Sequence, residues 1–207
     1  MRMLFALLWT LASSRELSIT DYGAVPGRAN NATAAFENGK ALYDAMRAAR
    51  KGDTVVVPAG QRFVMIPYAP LYRLEHVELR LEGCLAAFEP TGEHAKVWPF
   101  YLGNFESLIT IHLSSHVTIS GGGALDGRGH NWWVAFARNK LASKRPMLLQ
   151  IDGSTDVVVC AKLKILRRVL NRRVDLHAID AALLLDGVAM PVHRRWKRQH
   201  GRVIAEI

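Results

Sequence analysis

The sequence predicts an all-β chain: a solenoid fragment of stacked strand turns behind one N-terminal capping α-helix. Three observations predict it. One stretch alone has clear helical periodicity, and short runs rich in β-branched residues, bounded by Gly, Pro, Asn and Asp, follow it. Several of those runs also share one outline. Residues 76–83, 116–121, 156–160 and 182–187 each set a polar or small residue before three to five strand positions, usually with a Gly after them. Starts at His76, His116, Asp156 and Ala182 suit one or two turns of a β-solenoid. A single turn cannot bury its apolar face, so stacked neighbours must do so, and the open end of the stack needs a cover. A β-sandwich with strands at similar spacing is the alternative, and a helix followed by repeats favours the solenoid.

Taken in order, residues 1–14 begin with a basic residue, Arg2, followed by an apolar run and then small residues. That is the secretory signal pattern, too short to span a bilayer, and it predicts an extracellular protein with no membrane span; an N-terminal apolar strand is the alternative. Asn31-Ala32-Thr33 is a glycosylation acceptor triplet that export would make usable. Residues 33–51 form the predicted helix: Ala34, Ala35, Leu42, Ala45, Met46 and Ala49 fall on one face, and Gly52 is a stop signal. Thr54–Val57 is continuously apolar and reads as a buried strand, whereas residues 76–83 alternate between a wet and a dry face. Gly121-Gly122-Gly123 reads as a β-turn between strands. Asp126-Gly127-x-Gly129 reads as a turn, with Asp126 bonding its own backbone and Trp132-Trp133 packing a loop on the stack. A sugar platform is the other use open to that tryptophan pair. Cys84 and Cys160 could form one bridge, but both lie in apolar strand-like runs, where a buried thiol is the commoner state.

At 207 residues, half of them apolar and 22% charged, the chain can bury one good core and is not broadly disordered. Its net charge of +9 is uneven. Residues 1–160 hold 16 Lys and Arg against 14 Asp and Glu, while residues 161–207 hold 11 against 4. The basicity belongs to the tail, and 191–207 reads as a basic segment outside the main domain of 18–190. One short basic run with a single Trp196 lacks any supporting fold for nucleic acid, so no nucleic-acid partner is expected.

The chemistry-bearing residues are sparse. Glycoside hydrolysis needs two carboxyl groups across the scissile bond, one of them kept protonated. Asp152, Asp156, Asp175, Asp180 and Asp186 are scattered, with no Asp-Asp pair, and His177 and His193 have no partner in a known arrangement. Neither a metal-ligand spacing, a phosphate-binding glycine loop nor a Gly-x-Ser-x-Gly elbow is present. No catalytic, cofactor-binding or metal-binding residue is assigned.

Several motifs in order nevertheless resemble one family. Asp21-Tyr22-Gly23-Ala24-Val25 is similar to the opening strand of the polygalacturonases, the pectin-degrading glycoside hydrolases, and 33–60 resembles their capping helix and Pro-Ala-Gly turn. Residues 74–88 with Trp98-Pro99, then 117–133, Arg145-Pro146 and 157–166, fit in sequence, and 174–190 more loosely. The resemblance implies a secreted right-handed parallel β-helix acting on the acidic galacturonan of pectin without a cofactor. It covers the N-terminal half of the family pattern only. The family's Asn-Thr-Asp block, Asp-Asp pair and Gly-His-Gly histidine do not occur in the 207 residues, and the Arg-x-Lys group that follows them has no counterpart in that place. Where the family has a Ser-Pro-x-Trp loop, this chain has Arg168-Val169-Leu170-Asn171-Arg172. Gln199-His200-Gly201-Arg202, read one nucleotide later, is compatible with Asn-Thr-Asp-Gly, which suggests a frame slip near Pro191. The expectation is an inactive polygalacturonase-like fragment, monomeric or aggregation-prone. A non-catalytic carbohydrate-binding or adhesion β-helix is the alternative.

Overall fold

The computed structural model describes residues 14–27, 31–89, 97–141 and 143–160, together with the backbone of strands 164–166 and 202–206. The expectations for the signal segment 1–14 (bar Ser14), for the repeat at 182–187, and for Asp175, His177, Asp180, Asp186 and His193 lie outside the described residues.

In chain order the elements are β1 (Glu16–Ser18), a 3₁₀ turn (Ile19–Tyr22), α1 (Ala32–Ala48), β2 (Thr54–Val57), β3 (Arg62–Met65), β4 (Leu71–Tyr72), β5 (Glu78–Leu81) and β6 (Cys84–Ala87). Then come β7 (Phe100–Tyr101), β8 (Asn104–Phe105), β9 (Ile109–His112), β10 (Thr118–Ser120), β11 (Ala124–Asp126), α2 (His130–Ala137), β12 (Met147–Asp152), β13 (Val158–Val159), β14 (Lys164–Leu166) and β15 (Arg202–Glu206).

The strands deal themselves into three sheets. The first runs β1-β2-β5-β10-β13, the second β3-β6-β11-β14 and the third β4-β9-β12-β15. Pairing is parallel throughout these sheets except for β15, which runs antiparallel to β12. After β2 the chain visits the first, second and third sheets in turn and then begins again one strand further on. Parallel neighbours joined through two other sheets exclude a face-packed antiparallel sandwich.

Register explains why the core stacks. Glu78 pairs with Thr118 and Thr118 with Val158, so the sequence period of 76, 116 and 156 is the pairing register of the first sheet. Apolar residues then meet apolar residues: Val55, Leu79 and Ile119 are successive partners, as are Phe63, Leu85 and Leu125, and then Ile111 and Ile151. All eight are buried, and burying each such side chain is worth about 1.5–3 kcal/mol. Gly121 makes the bend from the first sheet to the second possible. Its φ of 104° lies in the left-handed region, and a Cβ there would stand 2.0 Å from the carbonyl oxygen of Leu81.

Asn31 starts α1 by accepting hydrogen bonds at Oδ1 from the N–H groups of Thr33 and Ala34. The triplet read as a glycosylation acceptor is therefore also a helix cap. The helix ends three residues before the expected Lys51. Asp53 draws the Arg50 N–H to its Oδ2 while its own N–H donates to the Arg50 carbonyl, so the chain turns before Gly52 can act as the stop. Its buried face carries Ala35, Asn38, Gly39, Ala41, Leu42, Ala45 and Met46.

That face closes the free edge of β3. Asn38 accepts at Oδ1 from the Val25 N–H and donates from Nδ2 to the carbonyls of Val25 and Val64, and the Ile66 N–H donates to the Ala35 carbonyl. The helix thus satisfies strand-edge groups as well as covering apolar surface, as a cap must. The contact needs Gly39, because a Cβ there would fall 1.8 Å from the Ile66 carbonyl oxygen. Gly39→Ala is expected to cost about 3 kcal/mol or more through forced separation of helix and edge, seen as a lower urea midpoint. A midpoint equal to that of the parent chain would contradict this packing.

Two expectations are corrected. The Trp132-Trp133 pair lies in a helix, α2, not in a loop, because the turn at 126–129 leads straight into a helical run. Cys84 and Cys160 are free thiols and only half buried.

Candidate functional site

Two long connections both cross from the second sheet to the third: one joins β6 to β9, the other β11 to β12. The corresponding crossings from the first sheet to the second are short turns. Extra chain is thus concentrated beside the third sheet, where loops on a rigid scaffold usually carry function.

The first connection contains the hairpin β7–β8, turned at Leu102 and Gly103 with φ of 48° and 81°. The second contains α2. An aromatic cluster joins them: the Trp132 ring stands edge-on to Trp98 at 5.6 Å and to Phe105 at 5.0 Å, and Phe105 meets Phe100 at 4.9 Å. Trp98 Nε1 donates to the Glu106 carbonyl at 2.7 Å. Trp132 is buried, whereas Trp133 is 43% exposed. The Arg145 guanidinium lies 3.3 Å from the Trp133 ring centroid and 4.9 Å from that of Phe136. The structural role read for this pair accounts for Trp132. For Trp133, one face of the ring is covered by Arg145.

The polar side chains of the third sheet form a ladder. Tyr72, His112 and Asp152 are register partners on β4, β9 and β12. Tyr72 and His112 stack at 5.1 Å, and His112 Nδ1 lies 3.7 Å from Asp152 Oδ2. Gln150 Nε2 donates to Asp152 Oδ2 at 2.9 Å, Ser107 donates to Gln150 Oε1 at 2.9 Å, and Thr110 donates to Glu106 Oε1 at 2.6 Å. The face offers hydroxyl, amide, imidazole and carboxylate groups in a row, a surface suited to a hydroxyl-rich ligand.

A second polar face belongs to the first sheet, where a shallow depression of about 550 Å³ is lined in part by Thr54, His76, Glu78, His116, Thr118 and Asp156. Glu78 accepts from Thr54, Ser120 and Arg80, and Arg80 also pairs with Glu16. Burial pushes the Glu78 carboxyl up, and the hydrogen bonds from Ser120, Arg80 and Thr54 outweigh it, so it sits below the usual carboxylate range.

The residues weighed from sequence do not converge. Asp126 is buried, and its Oδ1 accepts from the Arg128 N–H at 3.0 Å, the predicted turn role. Its Oδ2 also binds Arg62 at 2.6 Å, an ion pair across 64 residues that no local pattern announces. Asp152 stands on the third sheet, and Asp156 in the turn before β13. Arg138-Asn139-Lys140, an Arg-x-Lys triplet by spelling, is exposed at the C-terminal end of α2, outside the order in which the family places that group. Sequence reading missed the Tyr72, His112 and Gln150 positions. The only signal was the period of 40 residues linking Tyr72, His112 and Asp152.

Among the described residues no group of three or more His, Cys, Asp or Glu side chains could hold a metal ion, and no helix is long and apolar enough to cross a membrane.

Three sheets of mainly parallel pairing behind an N-terminal helix define the fold class. No protein-family model matches the chain. Two curated relatives are named "Probable endo-xylogalacturonan hydrolase A", from Aspergillus fumigatus and Neosartorya fischeri. Each is 28% identical over 122 residues, which is 58% of this chain and 28% of the relative. The matched segment thus spans under a third of the length of those relatives. Among solved structures, the family 28 exopolygalacturonase of Yersinia enterocolitica aligns with a TM-score of 0.51 at 15% identity, over 74% of this chain and 35% of that one. At that identity the likeness is one of fold. The chain is related to the polygalacturonase family over this part of its length.

The wall beside the third sheet depends on one side chain. Trp132→Ala is expected to destabilise the chain by about 3–5 kcal/mol and to collapse the near-ultraviolet circular dichroism of the aromatic cluster. An unchanged near-ultraviolet spectrum would show that hairpin and helix hold together by other means.

Proposed function

We propose that residues 18–190 are part of a right-handed parallel β-helix of polygalacturonase type, exported behind residues 1–14, whose partner is an acidic galacturonan. One observation carries this: from β2 onward the strands visit three sheets of mainly parallel pairing in strict rotation. The curated relatives and the fold likeness support the same reading. The third sheet, with its ladder of Tyr72, His112, Gln150 and Asp152, is the face on which a polysaccharide would lie.

The reading separates binding from cleavage. Inverting hydrolysis needs one carboxylic acid and one carboxylate across the glycosidic bond. The aspartate blocks that supply them in the family are not within these 207 residues. Positioning without those groups leaves the developing charge of the transition state unstabilised. We therefore expect this chain to contact galacturonan without hydrolysing it, which also covers the non-catalytic binding alternative.

The test uses the 207-residue chain and polygalacturonate. The expected result is no release of reducing ends above a no-protein blank, together with retardation in an affinity gel that fades as salt rises. Clear turnover would overturn the inactive reading. No retardation at low salt would remove galacturonan as the partner.

A further inference from the structure

The turns leading into β5, β10 and β13 carry an arrangement that polysaccharide binding does not use. His76, His116 and Asp156 hold the same place in successive turns, with φ of 51°, 52° and 53°. Such backbone angles are uncommon for residues other than glycine. Each turn is bonded to the next at or beside these positions. The Gly52 N–H donates to the His76 carbonyl at 2.8 Å, the His76 N–H to the Ser115 carbonyl at 3.1 Å, and the His116 N–H to the Thr155 carbonyl at 3.1 Å. Because the backbone repeats, the side chains must stack. The two imidazoles lie face to face, 4.3 Å apart and 17° from parallel, and His116 Nδ1 is 3.7 Å from Asp156 Oδ2.

This geometry does not suit a metal. Ring nitrogens on parallel planes direct their lone pairs side by side, whereas one zinc-like ion needs nitrogens converging on it at about 2.0–2.1 Å. It does suit a proton-sensitive contact. Two neutral imidazoles stack as aromatic faces, and two imidazolium ions in the same place repel.

The surrounding charges do little to offset that repulsion. Lys51 adds a positive charge beside His76, and Glu75 opposes it. Asp53 is engaged by Arg15, and Glu78 by Thr54, Ser120 and Arg80. Asp156 faces His116, and with side chains 68% and 50% exposed, water screens this attraction as it screens the repulsion between the rings. Burial, Lys51 and His116 together hold the His76 imidazole below its ordinary value, with Glu75 opposing.

We propose that the His76–His116 stack is an acid-sensitive joint, clamping adjacent turns of the first sheet when neutral and parting them when protonated. The sign follows from linkage. The folded chain holds the His76 proton less tightly than the unfolded chain, so the unfolded state gains protons first as pH falls. The stabilisation is intact above the unfolded value of about 6.5 and is lost as pH falls through it toward the lower folded value.

The test compares the parent chain with His76→Asn and His116→Asn, because Asn tolerates left-handed angles and does not titrate. Thermal midpoints are measured between about pH 4.5 and about pH 8, spanning the histidine range. The parent midpoint should fall on acidification through this range, and either substitution should remove at least half of that fall. Equal slopes in all three proteins would overturn the proposal. Proton NMR of the parent chain gives a reading that needs no variant to fold. The His76 ring signal should titrate below the ordinary value and move upward in high salt. Independent titration of all ring signals at ordinary values would overturn it equally.

Discussion

Parallel register is the constraint on which the rest of this molecule depends. Each interior strand satisfies its backbone groups on the strands before and after it, one full rotation of the chain away, so no element can be placed without its neighbour. Once Glu78 is opposite Thr118, the alternation of β-strands forces Leu79 onto Ile119 and places Arg80 beside Ser120. A slip by one residue would turn every buried side chain outward. Core, polar ladders and stacked turns are consequences of a single alignment, repeated.

The stack must also begin somewhere, and its first turn is closed on two sheets. At the first end β1 covers β2, while α1 closes β3 with both apolar side chains and the Asn38 amide. Among the described residues β13 and β14 are the last strands of the first and second sheets, and both are short, which limits how well they template further pairing. The longer β12 is instead paired by β15, whose antiparallel direction runs from Asp152 opposite Arg202 to Met147 opposite Glu206.

Much of this was legible in the sequence, because the repeat of 40 residues is both a spacing and a register. The helix, the buried strand Thr54–Val57 and the alternation of 76–83 follow from patterns shorter than one turn of the stack, and the structure contains all three. What stayed hidden has one physical character: it is made by residues far apart in sequence. The Arg62–Asp126 pair spans 64 positions and the Ser107–Gln150 bond 43, so neither leaves a local trace. The end of α1 was misplaced for a related reason, since Asp53 outside the helix, not Gly52, decides where the helix stops. The α2 helix was missed because two glycines so close to the tryptophans suggest a loop, while the apolar partners that make a helix worthwhile, Trp98 and Phe105, come from a different turn.

The fate of the buried carboxylates sharpens the separation of binding from catalysis. A hydrolytic acid must be kept protonated, which calls for burial without compensating donors. Asp53 and Asp126 are the buried carboxylates among the described residues, and both are bonded to donors. Asp53 accepts from the Arg15 guanidinium and from the N–H groups of Arg15 and Arg50, and despite burial these donors hold it far below the usual range. Asp126 accepts from the Arg62 guanidinium and the Arg128 N–H. Each ties two distant segments of the stack together, so each serves the register described above. Neither buried carboxylate is thus left in the environment that keeps an acid protonated.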